Sequence, residues 1–295
     1  MSTGPDILLT NPCGRTGEII REDLEAKGLS VAVMEGPNAR KMTPAYLRAL
    51  EKEILNTGPR MVVPVFFPEI LAAHRDLFPG VRIPLDDAAK IRRLDNKTSA
   101  CTLAAESGVP QPRMWQSPDE VDTYPLVFKR PEGQGGDSVY FPKTPQALRN
   151  LMRTAPSGVI LQEFIEGADV CVDCLRWDGF FHAAAYRVLE PRMKGVSTLR
   201  ESVEAGELGD YCRRMLDAVD YHGVCGFDFR VSETDGKAYF LECNPRFSGG
   251  IESALAVGFD IPWLYYRLAL GEKVSETEIP PLETGVRTGT YLSKC

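Results

Sequence analysis

The sequence has no long apolar run. Its densest apolar stretch, Met61–Phe67, is predicted to be a short strand; it is interrupted by Pro64 and is far shorter than the roughly 20 residues that span a bilayer. Its first residues also lack the basic start and the apolar stretch of a secretory signal. We therefore expect no transmembrane helix, no export and a cytoplasmic location.

The sequence also lacks an excess of positive charge. Its 34 Lys and Arg residues are outnumbered by 41 Asp and Glu residues, which gives a formal net charge of −7. A charge of this sign repels nucleic-acid backbones and anionic lipid surfaces. Nucleic-acid and membrane partners are therefore disfavoured, although a local basic pocket is compatible with this balance.

The eight cysteines lack the dense spacing of a disulfide scaffold. Cys171 and Cys174 form a C-x-x-C, but they lie in a segment that alternates like a strand, where residues three apart point to opposite faces. No second Cys or His pair follows at zinc-site spacing. We interpret the cysteines as small buried apolar residues in a reducing compartment.

The 295 residues are 43% hydrophobic and 25% charged, which is typical of a folded protein, without internal repeats or low-complexity segments. Residues 1–85 alternate strand and helix signals, which predicts a small parallel sheet with helices on both faces. The first turn, residues 11–17, lacks the three-glycine dinucleotide spacing, and Glu35 is the only candidate ribose acid. We therefore disfavour a dinucleotide site there.

The pattern changes after residue 85. Two helices are predicted at Asp86–Leu94 and Lys97–Ser107, and an antiparallel module with several strands follows. Thr198–Glu201 has the spacing of a capping box, which predicts a helix start. The fold class expected from this order is mixed α/β (α+β).

The clearest candidate site lies on a predicted hairpin, 226–232 and 237–243. Glu242 and Asn244 are two residues apart and project from one face, and Asp228 falls within one or two residues of the position opposite Glu242. Two nearby carboxylates repel unless a cation holds them, and an all-oxygen set suits Mg²⁺ or Mn²⁺. The alternative is a solvated strand face, which the apolar neighbours Phe227 and Phe229 argue against.

Two further segments carry candidate ligand-binding residues. Lys129 ends an apolar strand just before a glycine-rich run with Gly133, Gly135 and Gly136, and such backbone N–H groups with an ammonium suit a polyphosphate. An ordinary hairpin turn is the alternative there. The segment 159–169 is an apolar strand that ends in polar groups, and its backbone and carboxylates suit an adenine edge and ribose hydroxyls.

In this order the segments resemble the ATP-grasp superfamily over roughly Leu85–Gly271. Four motifs carry the resemblance: Leu94-Asp95-Asn96-Lys97 with the exit Gly108-Val109-Pro110-Gln111-Pro112, Phe128-Lys129-Arg130-Pro131, Gln162-Glu163-Phe164-Ile165-Glu166-Gly167, and Glu242-Cys243-Asn244-Pro245-Arg246. Within the superfamily the chain is most similar to the branch of carbamoyl phosphate synthetase large subunits and biotin carboxylase, as a single stand-alone ligase.

The resemblance implies an ATP-grasp fold with an N-terminal Rossmann-like pre-ATP-grasp domain at 1–85. It implies an ATP-grasp domain at 86–295, with 113–166 as a small lid subdomain over the phosphates. The cofactors would be ATP with Mg²⁺ or Mn²⁺.

Site roles are implied by matching positions. The nucleotide would contact these residues: Lys97, Lys129, Gly133, Gly135, Gly136, Gln162, Glu163, Phe164, Ile165 and Asp169. The metal ligands would be Asp228, Glu242 and Asn244, and the catalytic residues Lys129 and Arg246. Asp169 stands where Glu is commoner in the family, and Asp228 where Glu or Gln is usual.

The resemblance also implies an ATP-dependent carboxylate–amine ligase that acts through an acyl phosphate and releases ADP and phosphate. Its partners would be small-molecule substrates, and a homodimer is left open. Arg246 and a cationic loop that includes Arg187, Arg192, Lys194, Ser197 and Thr198 are assigned to the substrate, with a solvated linker as the alternative for the loop. Alternatives for the function are carboxyphosphate or carbamoyl-phosphate chemistry, and an ATP-binding regulatory module without turnover.

Overall fold

The structure is a computed structural model that describes residues 4–10, 14–130, 139–190 and 199–289. Its strands and helices, in chain order, are β1 (Ile7–Thr10), α1 (Arg15–Ala26), β2 (Val31–Met34), α2 (Thr43–Thr57), β3 (Met61–Pro64), α3 (Pro68–Ala73), α4 (Ala88–Asp95), α5 (Lys97–Glu106), β4 (Met114–Trp115), β5 (Leu126–Lys129), β6 (Val139–Tyr140), α6 (Pro145–Met152), β7 (Ile160–Glu163), β8 (Gly167–Trp177), β9 (Phe180–Val188), β10 (Leu199–Val203), α7 (Gly206–Ala218), β11 (Gly223–Ser232), β12 (Ala238–Asn244), α8 (Ile251–Ala256), α9 (Ile261–Ala269) and β13 (Arg287–Gly289).

The N-terminal strands form a parallel sheet in the order β2-β1-β3. Strand β1 is central and fully buried, as expected for a strand that is covered on both faces. Helix α1 connects β1 to β2, so the predicted βαβ unit is present. Parallel strands end at one edge of the sheet, which places Thr10 at the end of β1 beside Pro64 at the end of β3.

A six-stranded sheet in the order β12-β11-β8-β9-β10-β13 forms the largest sheet of the described chain. All its pairings are antiparallel. Because paired residues share a face, its two faces can be assigned from the register. One carries Phe227, Val172 and Ala185 and packs against α5 and α7, and the other carries Asp228, Cys171 and Tyr186.

A smaller sheet in the order β4-β7-β5-β6 occupies residues 114–163. Its apolar face, with Trp115, Phe128 and Leu161, packs with Leu148 of α6. Helix α6 begins where Thr144 accepts a hydrogen bond from the Ala147 N–H and so caps the helix. The predicted lid boundaries at 113 and 166 enclose this sheet, and the division into domains stays a prediction.

The N-terminal sheet does not pack as a separate unit. Ile7 and Met61 belong to one buried cluster with Ile251 and Tyr265 of the C-terminal helices. Burial of this apolar surface joins the beginning and the end of the chain. The N-terminal sheet is thereby fixed relative to the segment that follows β12.

Two local predictions are wrong. Leu199–Glu201 are strand residues rather than a helix start, because they pair with β9 on one side and β13 on the other. Helix α7 begins only at Gly206. Of the predicted strand Met61–Phe67, only Met61–Pro64 forms β3; Phe67 has φ 57° and precedes α3, which was not predicted. Within the described ranges, no helix is long and apolar enough to cross a membrane.

Candidate active site

A bulge shapes the predicted metal hairpin. Asp228 pairs directly with Glu242, whereas Phe229 pairs with Phe240, so Leu241 is the extra residue on β12. A bulge changes the face to which the following residue points. Phe240 therefore joins the apolar face while Glu242 lies beside Asp228 on the other face. The predicted juxtaposition of the two carboxylates is present.

The electrostatics of these carboxylates are those of a crowded, desolvated pair. Burial raises the pKa of Glu242, and the Asp228 charge raises it further. The Cys171 thiol donates a hydrogen bond to Asp228 Oδ1 at 3.1 Å. A cation between the two carboxylates would offset their repulsion, so these donors fit a hard divalent ion. Among the described residues, no three His, Cys, Asp or Glu side chains form a metal-binding group, so an Asn or further donors would have to complete the set.

Asn244 and Arg246 lie beside this pair. Arg246 Nη2 donates to Asn244 Oδ1 at 3.0 Å, so the predicted ligand oxygen is engaged by the guanidinium here. The guanidinium also lies 5.2 Å from the centre of the Phe66 ring, a cation–π contact from the segment after β3. Burial lowers the pKa of Arg246, while the charges of Asp95, Glu242, Asp228 and Glu69 oppose that shift. Arg246 therefore joins the N-terminal sheet to the candidate site.

Two lysines reach the same place from other elements. Lys129 ends β5, is 7% exposed, and donates to the Leu241 carbonyl at 3.3 Å. Burial lowers its pKa, and the Glu242 charge opposes that shift. Lys97, the first residue of α5, also acts electrostatically on both Lys129 and Glu242. The structure thus brings Lys97, Lys129, Asp228 and Glu242 together, as the sequence predicted.

Gln162 of β7 lies on the same face of the small sheet as Lys129. It pairs with Val127 and Met114, on the face opposite Phe128 and Trp115. The side chain is 1% exposed, yet neither its Oε1 nor its Nε2 has a hydrogen-bond partner among the described residues. A buried amide without partners is costly, so this position fits a ligand that supplies them.

The segment after Gln162 forms the predicted hinge between the two sheets. The Glu163 carboxylate accepts from the Arg113 N–H at 3.3 Å, and Phe164 makes an edge contact with Phe141 at 5.8 Å. Ile165 is half-buried in the non-regular segment that follows β7. Gly167 has φ 156°, and a Cβ there would collide with the Val231 carbonyl, so only glycine fits at this crossing.

The remaining predicted residues divide into three groups. Asp169 is paired with Arg230 at 2.9 Å. Arg187 is exposed and lies next to Tyr186 on β9, on the sheet face opposite Asp228, so it is not brought to the site. The other predicted residues, Gly133, Gly135, Gly136, Arg192, Lys194, Ser197 and Thr198, lie outside the described residues.

Three polar residues on the Asp228 face were not singled out from the sequence. Asp173 and Tyr186 are 3% and 1% exposed, and Arg200 is 6% exposed. Alternation along residues 167–177 already places Asp173 on the face of Asp169 and Cys171, which is the signal that could have found it. Arg200 was not identified because its segment was wrongly predicted to start a helix.

Comparisons with known proteins follow this geometry. Residues 156–292 match a family model described as ATP-grasp in the biosynthetic pathway with Ter operon. A search of curated protein sequences found no match.

Three solved structures share the fold. The biotin carboxylase domain of Hydrogenobacter thermophilus 2-oxoglutarate carboxylase, in complex with MgADP, ADP and bicarbonate, is 16% identical with a TM-score of 0.76, over 94% of this chain and 72% of that one. L-amino acid ligase from Bacillus licheniformis is 17% identical with a TM-score of 0.70, over 93% and 77%. N5-carboxyaminoimidazole synthase from Aspergillus clavatus, in complex with ADP and 5-aminoimidazole ribonucleotide, is 13% identical with a TM-score of 0.70, over 95% and 80%.

The chain therefore has the ATP-grasp fold, and the predicted resemblance to this superfamily is confirmed; the solved structures that share the fold include a biotin carboxylase domain. Residues 156–292, which match the ATP-grasp family model, carry β7 to β13. The predicted mixed α/β class is confirmed as well. The same findings support the predicted class of enzyme, an ADP-forming ATP-grasp ligase.

Proposed function

We propose that this protein is an ATP-dependent carboxylate–amine ligase that forms an acyl phosphate and releases ADP and phosphate. The observation that carries the proposal is the convergence of Lys97, Lys129 and the opposed pair Asp228 and Glu242 beside Arg246. Phosphoryl transfer requires mainly positioning and charge neutralisation. These residues supply cations around an anionic pair without a covalent nucleophile.

The nucleotide would lie between the two sheets. Gln162 and the hinge Glu163–Ile165 would bind the adenine, Asp169 the ribose, and Lys97 and Lys129 the phosphates. Asp228, Glu242 and Asn244 would hold Mg²⁺ or Mn²⁺, which supplies charge neutralisation at the phosphates. Asn244 Oδ1 already accepts from Arg246, and its second lone pair would be available to the cation, so the guanidinium would lie beside the metal site and near the carboxylate substrate.

Support for the reaction class comes from the fold and from the proteins that share it. The structural neighbours include an amino acid ligase and two carboxylating enzymes with bound ADP. The acyl-phosphate intermediate and the two substrates are our proposal, as are a cytoplasmic location and a homodimer.

A screen for ADP release tests the proposal. The twenty proteinogenic amino acids would be supplied in pairs with Mg²⁺ and ATP, together with N-acetylated forms that can serve only as carboxylates. We expect ADP release that needs both a carboxylate and an amine. Release of AMP and pyrophosphate, or ADP release that bicarbonate alone stimulates, would contradict the proposal and, in the second case, favour carboxyphosphate chemistry. Nucleotide binding without turnover across the panel would favour the regulatory module.

A further inference from the structure

A buried polar cluster lies next to the candidate metal hairpin and is not explained by nucleotide or metal binding. It consists of the buried residues Asp173 on β8, Tyr186 on β9 and Arg200 on β10 with the half-buried Ser248 after β12, and we call it the acceptor cluster. The register places Asp173 and Tyr186 on the face of Asp228. Asp173 is diagonal to Asp228 across the β8–β11 pair, a separation of roughly 7–8 Å between Cα atoms.

Two members of the acceptor cluster have unused hydrogen-bonding capacity. The Tyr186 hydroxyl and Asp173 Oδ2 are both buried, and neither has a partner among the described residues. An unsatisfied buried polar group costs roughly 1–3 kcal/mol, so two of them side by side indicate a ligand that supplies the missing contacts.

The surrounding backbone leaves room at this cluster. Residue 226, opposite Asp173, is glycine, and a Cβ there would lie 3.4 Å from Ser248 Cβ and 3.6 Å from Asp173 Oδ1. A cavity of about 10 Å³ has Asp173, Ser248 and Arg246 as its polar lining, and apolar side chains that include Phe247 and Ile251 form the rest. A cavity of this size holds about one water-sized group, which is also the size of an ammonium group. Because Arg246 lines the same cavity, the cluster is continuous with the carboxylate end of the candidate site.

The charges around Asp173 are mixed and include both carboxylate and guanidinium groups. Burial raises the pKa of Asp173 to about 6, the Arg200 guanidinium and the Ser248 hydroxyl lower it, and Asp228 raises it. The charged and titratable groups that face it are thus Arg200 from β10, Asp228 from β11, Tyr186 from β9, and Arg246 after β12. Arg200 lies over Gly250, where a Cβ would leave no room for the guanidinium, so its place above the sheet is fixed.

We propose that Asp173, with Tyr186 beside it, binds the ammonium group of the amine substrate and accepts the proton that this group must lose before it attacks. The inference rests on the proposed ligase function. The free amine nitrogen attacks the acyl carbon, the bond from that carbon to the phosphate oxygen breaks, and phosphate leaves. The first proton goes from nitrogen to Asp173, and the second leaves nitrogen for the departing phosphate.

Hydroxylamine separates this role from the rest of the reaction. It is largely neutral at neutral pH, so it can trap an acyl phosphate as a hydroxamate without a base. We would use the carboxylate that gives most ADP release in the screen, with glycinamide as the protonated amine. For Asp173→Asn we expect amide formation with glycinamide to fall about 100-fold, as is typical for loss of a general base, while hydroxamate formation stays within about threefold of wild type.

The outcomes are distinct. If wild-type protein forms neither hydroxamate nor amide, the proposed function fails, and the role of Asp173 fails with it. If wild type forms both and Asp173→Asn lowers both equally, or lowers neither, the ligase stands and the role of Asp173 is overturned. Asp210→Asn, which removes an exposed acid on α7, is the matched control and should leave both rates unchanged.

Two further measurements test the role of the acceptor cluster if Asp173→Asn does not fold. Tyr186→Phe preserves the ring and should raise the KM for glycinamide about tenfold without changing hydroxamate formation; an unchanged KM would count against the cluster. In wild type, amide formation should fall below about pH 6, where Asp173 becomes protonated. Because hydroxylamine itself becomes protonated in this range, hydroxamate rates are referred to the concentration of its neutral form. Parallel profiles for amide and hydroxamate after this correction would overturn the proposal.

Discussion

The two faces of the six-stranded sheet are built from the same strands but have opposite chemistry. The face against α5 and α7 carries Phe227, Phe229 and Phe240 and also buries Cys174, Cys225 and Cys243 with Cys212. The other face carries Asp228, Glu242, Asp173 and Tyr186. Alternation along each strand separates the two sets, and one bulge at Leu241 brings Glu242 to the polar face. One face therefore stabilises the fold while the other holds the candidate chemistry.

The cysteines on the apolar face illustrate the difference. Burial raises the pKa values of Cys174, Cys212 and Cys243, so these thiols stay protonated and unreactive. Cys171, on the polar face, donates instead to Asp228. The C-x-x-C of the sequence is thus divided between the two faces, as strand alternation predicts.

The largest expected effect on activity comes from the polar face. Glu242→Gln should lower kcat by about 1,000-fold, because it removes one of two opposed carboxylates at nearly constant size and weakens charge neutralisation in the transition state. Nucleotide affinity should change little, since the hinge 162–169 is untouched. Steady-state rates with nucleotide titrations measure both, and Glu233→Gln on the exposed hairpin is the matched control. A folded Glu242→Gln protein with near wild-type turnover would remove the hairpin from the site.

The largest expected effect on stability comes from the apolar face. Phe229 is fully buried and stacks with Phe227 at 6.3 Å, so Phe229→Ala should destabilise the protein by about 3–5 kcal/mol. Denaturant unfolding measures this change, with the exposed Leu55→Ala as control. The folded fraction should retain its kcat. A large loss of kcat without loss of stability would contradict the separation of the two faces.

Lys129→Ala should affect binding as well as turnover. Its ammonium group would contact phosphates already in the ground state, so we expect ATP affinity to fall about tenfold to 100-fold, in line with charge-assisted hydrogen bonds worth roughly 1.5–3 kcal/mol. Isothermal titration with a non-hydrolysable ATP analogue measures the change. Lys143→Ala, which removes an exposed lysine beyond β6, is the control. Equal affinities for the two variants would argue against a phosphate contact.

A smaller effect concerns stability and pH. The pKa of Asp173 is raised from 3.8 to about 6 in the folded protein. Its protonated form therefore contributes to the free energy of unfolding fully below pH 3.8, the pKa in the unfolded chain, and this contribution is lost as the pH rises through about 6. The stability of Asp173→Asn relative to wild type should therefore increase between about pH 4 and pH 6, by at most about 3 kcal/mol. Thermal unfolding of both proteins across this range checks the sign. A difference that decreases with pH would contradict the assignment.

The sequence predicted the elements that alternate regularly and missed those that depend on tertiary contacts. The position of Asp228 within one or two residues of Glu242 followed from strand period and the predicted hairpin, both of which are local. The bulge at Leu241 could not be read from the pattern, because it depends on which side chain each face must bury. Leu199–Val203 has a capping spacing, yet pairing with β9 and β13 makes it a strand, since ladder hydrogen bonds and burial override local propensity.

In the candidate site, too, locally encoded features were predicted and features that depend on tertiary contacts were missed. Motif residues on the hairpin, on β5 and on α5 converge as expected from the resemblance. The contact of Phe66 with Arg246 was not predictable, because it joins segments 180 residues apart through a shared core. Asp173 and Tyr186 were overlooked because their burial emerges only when both strands are paired.

The transfer of an oxygen atom tests the central claim most directly. With the active carboxylate labelled with ¹⁸O, turnover in the presence of Mg²⁺, ATP and the amine should place one labelled oxygen in the released phosphate, because the bond that breaks joins the acyl carbon to an oxygen that came from the substrate. Mass spectrometry of the phosphate reads this out against an unlabelled control. Label found in AMP, or phosphate without label during confirmed amide formation, would contradict an acyl phosphate and with it the assigned reaction.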